Sequence, residues 1–233
     1  MDLRDKLRIH GNSPSNILSK WYRNKSDQQN ALALNVLLLG DRQSGRSSVG
    51  NALIGAHDFQ TGRGAPGVST ETECRLLSRN FPKYFRRQGA ESDLGLRVID
   101  TPPQMPHAQS VHKLCPEGVH VVVIVVRADL LRENAHLQQH TESLFGPEWY
   151  NHALLVITHA DHLKEAELHP PVYLSRTTDW LRALAEKVSG GVCFLDNSCD
   201  WPSIRGRPLR DRLLNLSAKN HHQALRVRTE VSL

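Results

Sequence analysis

The feature that most constrains this chain is an apolar strand that runs directly into a loop bounded by two glycines. Residues Asn35–Leu39 are typical of a strand buried on both faces, because the apolar residues follow one another without alternation. The sequence continues as Gly-Asp-Arg-Gln-Ser-Gly-Arg-Ser-Ser and then passes into a helical pattern that reaches Ile54. Glycines in this order let successive backbone N–H groups face a phosphate, and the helix N-terminus adds its positive end. We therefore predict a phosphate-binding loop, with the Ser47 hydroxyl offered to Mg²⁺, made of Gly40, Asp41, Arg42, Gln43, Ser44, Gly45, Arg46, Ser47 and Ser48.

The rest of the chain alternates between strand and helix patterns. Helical spacing connects Leu130, Leu137 and Leu144, and it recurs over 173–188 and 209–216. The stretch 73–81 alternates weakly, as an added edge strand would. Strands alternating with helices predict an α/β fold in three layers, with a mostly parallel sheet and one antiparallel edge strand. The further buried-strand patterns are Leu96–Ile99, Val119–Val126, Leu154–Ile157 and Val192–Leu195.

Composition narrows the class of protein without choosing a partner. The 233 residues include 29 Lys and Arg against 24 Asp and Glu, a net charge of +5, and 39% are hydrophobic. These values exclude a collagen, a wholly disordered chain and a polytopic membrane protein. Four scattered cysteines do not form a secreted disulfide framework, and no apolar run approaches the roughly 20 residues that span a bilayer. We expect a cytoplasmic protein without a transmembrane segment.

Two positions after the second buried strand concern the metal and the terminal phosphate. Asp100 follows Val98 and Ile99, where a carboxylate can hold the Mg²⁺ shell. GTPases have Asp-x-x-Gly at this point, and the glycine N–H bonds the γ-phosphate. Here the fourth position is Pro103, which has no N–H. The sequence therefore predicts a weakened γ-phosphate contact.

A polar string after the fourth strand is the candidate for base recognition. It reads Thr158-His159-Ala160-Asp161, and Asn197 follows the next strand. A carboxylate at Asp161 can accept hydrogen bonds from guanine N1–H and N2–H₂, a donor pair that adenine lacks. His159 can lie over the base and Asn197 can contact it from the other side. A P-loop ATPase or kinase would require Asp161 to be incidental.

In these motifs the chain resembles the GIMAP family of immunity-associated GTPases from about residue 34 to residue 197. The resemblance implies a septin-like GTPase fold that binds GTP or GDP with Mg²⁺, and a dimer partner across the nucleotide face. It assigns Gly45–Ser48 to phosphate and Thr158, His159, Asp161 and Asn197 to the base. It also makes Thr70 the switch threonine on the metal, with Thr72 left as an alternative. The motifs that carry the resemblance are the loop with its trailing Gly50-Asn51-Ala52-Leu53-Ile54-Gly55, then Asp100-Thr101-Pro102, Cys115–His120, Leu144-Phe145-Gly146 and Thr158–Asp161.

The departures from the family pattern are at the γ-phosphate. Arg46 replaces the loop lysine and keeps the charge but not the compact shape, and Pro103 replaces the switch glycine. No residue is identified as a catalytic base. We expect a guanine-nucleotide-binding protein with slow or absent hydrolysis. The alternative is a pseudo-GTPase that serves as an interaction module through its basic C-terminal segment.

We expect three segments along the chain. Residues 1–33 are predicted to be a flexible tail, 34–200 the GTPase domain, and 201–233 a basic amphipathic helix that docks on or extends from it. Six arginines lie in Arg205–Arg228, which suits a peripheral membrane surface or a protein partner. The basic stretch Lys83–Arg87 is more typical of a solvated hairpin tip than of a nucleic-acid contact.

Overall fold

A single six-stranded sheet organises the residues that the computed structural model describes, which are 31–59, 74–102, 106–130, 135–197 and 202–228. Its strand order is β2-β3-β1-β4-β5-β6, with β2 antiparallel to β3 and the other neighbours parallel. The strands are β1 (Ala31–Leu39), β2 (Arg75–Arg87), β3 (Ala90–Asp100), β4 (Val121–Arg127), β5 (Ala153–Thr158) and β6 (Val192–Leu195). The helices are α1 (Arg46–Ile54), α2 (Ala108–Leu114), α3 (Ala135–Phe145), α4 (Asp161–Glu165), α5 (Pro170–Arg176), α6 (Asp179–Lys187) and α7 (Pro202–Lys219), with a 3₁₀ turn at Pro147–His152. The predicted α/β fold with one antiparallel edge strand is confirmed.

Apolar side chains on both faces of the sheet hold the layers together. Within β1, Leu37 and Leu38 are both fully buried, yet they belong to opposite core clusters because successive side chains of a strand point to opposite faces. The cluster around Leu38 includes residues of α1 and α7, and the cluster around Leu37 includes residues of α3, α5 and α6. The valine-rich β4 is buried from Val121 to Val126. This arrangement accounts for the runs without alternation, since each central strand is covered on both sides.

Some element boundaries differ from the sequence predictions. The first strand begins at Ala31, so the last three residues of the predicted tail belong to β1, and the rest of that tail (1–30) lies outside the described residues. The edge strand continues to Arg87, so Lys83–Arg87 ends β2 and leads into the turn at Gln88 and Gly89. The basic stretch is therefore strand and not only tip.

The single helical pattern at 173–188 is wrong, because the structure has two helices, α5 and α6, in that region. Thr178 separates them with extended backbone angles, and its side chain accepts a hydrogen bond from the backbone N–H of Leu181 at 3.3 Å. A threonine that caps the first turn of a helix starts a new element there.

Helix α7 lies directly against α1. Arg210 of α7 is 4% exposed, and its Nη1 donates to the carbonyl oxygens of Ala52 (3.0 Å) and Leu53 (3.1 Å) near the C-terminus of α1. Its guanidinium also lies 4.5 Å from the centre of the Phe81 ring on β2. Within the described parts of the chain, no helix combines the length and the apolar character needed to cross a membrane.

The parallel strands bring the predicted site residues to one edge. Five of the six strands run in the same direction, so their carboxyl ends lie at the same side of the sheet. The loops that follow β1, β3, β5 and β6 begin there, and ligands of open α/β sheets bind outside these ends. The positions that leave this edge are Gly40, Asp100, His159 and Asn197.

Candidate functional site

The loop after β1 has a curled backbone that depends on glycine. A Cβ atom added to Gly40 would lie 2.5 Å from the carbonyl oxygen of Val125 and 2.6 Å from Ser44 Oγ. Gln43 and Gly45 both have positive φ angles, 64° and 91°, and the backbone N–H of Ser44 returns to the carbonyl of Asp41 at 3.1 Å. The loop therefore folds back on itself and delivers the chain to the first turn of α1.

The N-terminus of α1 has the geometry of an anion site. The helix has nine residues, and Gly45 stands at its N-cap without a side-chain hydrogen bond to the first turn. The first N–H groups of a helix have no partner within it, and they carry partial positive charge. The residues at this end are Arg46, Ser47 and Ser48, so the predicted phosphate contacts fall where the backbone can make them.

Thr158 supports the loop from the end of β5. Its side chain is fully buried, and its hydroxyl lies 2.6 Å from the carbonyl oxygen of Ser44. A Cβ atom on Gly45 would lie 3.0 Å from the Thr158 side chain, so the glycine permits this close contact. Thr158, which the sequence predicts at the base, therefore has its hydroxyl buried and directed at the phosphate loop.

Arg46 also has a position that the sequence did not predict. Its Nη1 donates to Thr101 Oγ1 at 3.0 Å and to the carbonyl oxygen of Pro102 at 2.7 Å. Its Nε lies 3.8 Å from Asp100 Oδ1, and the side chain is 8% exposed. Arg46 thus holds the end of β3 through these contacts, whereas the sequence predicts a contact with phosphate.

Ser47 and Asp100, two of the three predicted metal ligands, are in contact. The Ser47 hydroxyl donates to Asp100 Oδ2 at 2.7 Å. A hydroxyl and a carboxylate are the hard oxygen donors that Mg²⁺ prefers, so this pair fits the ion. No cluster of three His, Cys, Asp or Glu residues that could hold a metal occurs among the described residues. A magnesium ion here would need further oxygens from phosphates and water. The third predicted ligand, Thr70, lies outside the described residues, as do Thr72 and Pro103.

The residues predicted to recognise the base are joined by hydrogen bonds between the loops after β5 and β6. The backbone N–H of His159 donates to Asn197 Oδ1 at 3.1 Å, and the backbone N–H of Asn197 donates to Asp161 Oδ1, also at 3.1 Å. Ala160 adds a backbone bond to the carbonyl of Leu195 at 3.1 Å. These reciprocal bonds fix the carboxylate of Asp161 beside the end of β5. The predicted trio of His159, Asp161 and Asn197 is therefore brought together.

The His159 ring stands beside a second imidazole. The rings of His159 and His162 are parallel within 2°, with centres 6.1 Å apart. Burial lowers the pKa of His159 below its ordinary value, and the nearby positive charge of Arg127 lowers it further. A neutral, flat ring at this position can lie against a planar base.

Several polar contacts around the site were not predicted from the sequence. His136 on α3 contacts Asp41 Oδ1 at 2.8 Å, and Arg127 at the end of β4 pairs with Asp129. Lys164 pairs with Asp196 at 2.7 Å beside the base loop. The only available signal was the position of the charged residues 127 and 129 directly after a buried strand. The residue paired with Asp41 lies 95 positions away in the sequence.

A parallel sheet of this order, with a curled glycine loop after its first strand and carboxylates after β3 and β5, defines a P-loop GTPase fold. Solved structures agree. The chloroplast translocon components atToc33 and psToc159, whose dimerization is important for their GTPase activity, superpose with a TM-score of 0.56 at 20% identity, over 88% of this chain and 90% of theirs. Toc33 from Arabidopsis thaliana in complex with Mg²⁺ and GMPPNP gives a TM-score of 0.52 at 19% identity, over 93% of this chain and 95% of that one.

The family follows from the sequence match. The model of the AIG1 family matches residues 34–203, and the chain belongs to this family. Immune-associated nucleotide-binding protein 4 of Arabidopsis thaliana is 24% identical over 198 residues, 79% of this chain. GTPase IMAP family member 8 of Homo sapiens is 25% identical over 175 residues, 70% of this chain. The match covers 57% and 24% of the lengths of these two relatives. The resemblance drawn from the motifs is confirmed at the level of the family.

Proposed function

We propose that this chain binds a guanine nucleotide, GTP or GDP, together with Mg²⁺. The observation that carries the proposal is the pair of reciprocal bonds between His159, Asn197 and Asp161, which holds a carboxylate beside the base position at the phosphate-loop edge of the sheet. The names of the relatives and the ligands of Toc33 point the same way. A carboxylate accepts from the two donors on the guanine edge and so selects guanine over adenine.

Each part of the site then has one task. The backbone N–H groups of Gly45–Ser48 bind the phosphates, and Ser47 and Asp100, joined by Thr70, hold the metal ion. When bound, the ion would supply positive charge that neutralises the phosphates. Asp161 recognises the guanine edge, His159 lies over the base, and Asn197 contacts the base from the other side. The buried hydroxyl of Thr158 donates to the Ser44 carbonyl and so holds the phosphate loop next to the base loop.

The γ-phosphate contact is proposed to be weak and hydrolysis slow or absent. Pro103 cannot donate the N–H that a switch glycine supplies. A lost hydrogen bond to a charged group costs about 1.5–3 kcal/mol, or roughly 10- to 100-fold in preference for a triphosphate over a diphosphate. The contacts of Arg46 with Thr101 and Pro102 support the same proposal, because its charge is engaged away from the loop.

A second candidate is a pseudo-GTPase that acts as an interaction module. The engagement of Arg46 with Asp100 favours it, since this ion pair offsets the charge of a carboxylate that is proposed to hold the metal. In this proposal the segment 201–233 docks on a GTPase domain of residues 34–200, after a tail of residues 1–33. Its arginines would meet a membrane surface or a protein partner. A homodimer across the nucleotide face is proposed from the resemblance and from the dimerization of Toc33 and Toc159.

Titration of the purified chain with fluorescent GDP, GTP and ADP, with and without Mg²⁺, tests these proposals. We expect GDP to bind at least tenfold more tightly than ADP, and GTP to bind more weakly than GDP. Pro103→Gly should raise the affinity for GTP relative to GDP by restoring the N–H donor. Equal affinities for GDP and ADP would overturn the guanine assignment, and an unchanged GTP/GDP ratio in Pro103→Gly would overturn the γ-phosphate argument. Measurable turnover of bound GTP would exclude the pseudo-GTPase.

A further inference from the structure

The phosphate loop has two arginines, and they have opposite surroundings. Arg46 stands at the position where such loops carry their conserved cation, and it is 7% exposed. Arg42 lies four residues earlier, at the outer turn of the loop between Asp41 and Gln43, and it is exposed. The two side chains are therefore not equivalent sources of positive charge for a phosphate.

The charge of Arg46 is already engaged. One of its terminal nitrogens donates to both Thr101 Oγ1 (3.0 Å) and the Pro102 carbonyl (2.7 Å). The Thr101 hydroxyl in turn donates to the carbonyl of Leu38 at 2.8 Å, so the lone pair that receives Arg46 is fixed in place. The stem of the side chain also packs against Gly40, where an added Cβ would lie 3.3 Å from Arg46 Cγ. Moving the guanidinium to a phosphate would leave a buried carbonyl without this donor, which opposes the movement.

Arg42, in contrast to the buried Arg46, has an exposed side chain. Among the described residues, no hydrogen bond or ion pair engages its guanidinium. Its neighbour Asp41 is bonded to His136 at 2.8 Å, which holds that carboxylate against α3. Asp100 adds a second negative charge close to the loop. A phosphate bound at a loop with these carboxylates nearby needs a cation, and the exposed Arg42 can move to it without breaking an existing contact with a described residue.

We propose that Arg42, and not Arg46, is the cation of this loop that binds the phosphates of the nucleotide. Arg46 is instead a positioning residue that holds Asp100–Pro102 at the metal site. This assignment rests on the proposed function, because it names the residues that bind the phosphates of a guanine nucleotide.

Fluorescence titrations with GMP and GDP, each in Mg²⁺ and in EDTA, separate the two roles. Arg42→Gln should weaken GDP binding about tenfold and change GMP binding less than threefold, because the contact is made beyond the first phosphate. Arg42→Lys should recover most of the loss, and the melting temperature should not change in either variant. Arg86→Gln, which removes an exposed arginine at the end of β2, controls for net charge and should bind GDP as the wild type does.

Arg46→Gln has a different expected pattern. It should lower the melting temperature and remove most of the enhancement of GDP affinity by Mg²⁺, while GDP affinity in EDTA stays within threefold of the wild type. Arg46→Lys, which keeps one donor group, provides the same comparison if the glutamine variant does not fold.

The failures are distinguishable. Two results together overturn this assignment and leave the proposed function in place. In the first, Arg42→Gln binds GDP as tightly as the wild type does. In the second, GDP affinity in EDTA falls tenfold or more in either Arg46 variant. A wild-type chain that binds neither GMP nor GDP overturns the proposed function and the assignment with it.

Discussion

At the scale of a single residue, His120 has a protonation equilibrium that is shifted mainly by burial. The residue precedes β4, and its Nδ1 accepts a hydrogen bond from the backbone N–H of Asn35 at 3.0 Å. Its pKa is lowered to about 4, chiefly by burial, with smaller lowering contributions from the neighbouring His152 and His222. The folded protein therefore keeps this ring neutral at pH values where the unfolded chain would bind a proton.

The expected consequence is a loss of stability in acid. Between pH 6.5 and about 4 the unfolded state binds more protons at this position, so the free energy of unfolding falls as the pH falls through this window. The shift corresponds to roughly 3 kcal/mol as an upper limit. Urea denaturation of wild type and His120→Asn from pH 7 to pH 4 measures it, and the variant should show a flatter profile. Equal slopes in wild type and variant would contradict the prediction, and His112→Asn, at an exposed position on α2, is the matched control.

The functional residues show what the sequence can predict at this scale. The positions of Gly40, Ser47, Asp100 and Asp161 follow from local order, because each lies at the end of a recognisable strand or within a few residues after it. The contacts of Arg46 could not be predicted, since its partners lie 55 and 56 residues away. A motif specifies the backbone around it, whereas the direction of a long side chain depends on which buried acceptors surround it.

At the scale of elements, α1 and α7 form the contact that we expect to tolerate amino-acid substitution least. A Cβ atom on Gly206 of α7 would overlap the carbonyl oxygen of Ala52 on α1. The two backbones are therefore in direct contact, and Arg210 adds its hydrogen bonds to the same end of α1. Because α1 begins at the proposed phosphate loop, α7 supports the helix whose other end adjoins that loop.

Gly206→Ala should consequently destabilise the fold despite the better helix propensity of alanine. Overpacking of a closed contact costs about 1–3 kcal/mol or more, which exceeds the gain of about 1 kcal/mol from replacing a helical glycine. Chemical denaturation followed by circular dichroism measures the difference. Asn215→Ala, at an exposed position of the same helix, should be neutral or slightly stabilising. A Gly206→Ala variant as stable as the wild type would show that the helices are free to separate.

Two helix predictions were wrong because the helical spacing of residues extends beyond the bounds of a single helix. The seven-residue repeat that begins at Leu130 is real only from Leu137 onward, because Leu130 precedes α3 and is 37% exposed. The break between α5 and α6 was missed because helical spacing continues through it. Thr178 was the available signal, since a threonine that begins a polar turn commonly caps a new helix.

At the scale of the whole molecule, the alternation of strands and helices was sufficient to predict the class of fold. Right-handed crossovers between parallel strands leave few arrangements, and they place every βα loop at one edge. The order of the sheet, β2-β3-β1-β4-β5-β6, was not predicted, because strand patterns carry no information on which neighbour each strand chooses. The site depends on this order, since β1 and β5 lie on either side of β4 and contribute the phosphate loop and the base loop.

The central claim, that this edge recognises guanine through Asp161, is tested most directly by exchanging both partners of the contact. Asparagine at this position presents one donor and one acceptor, which match xanthine and not guanine. Isothermal titration calorimetry would compare GDP and xanthosine diphosphate on wild type, on Asp161→Asn and on Asp179→Asn, an exposed control on α6. We predict that Asp161→Asn weakens GDP at least tenfold and binds xanthosine diphosphate more tightly than GDP, while the control matches the wild type. GDP affinity unchanged by Asp161→Asn would contradict the account.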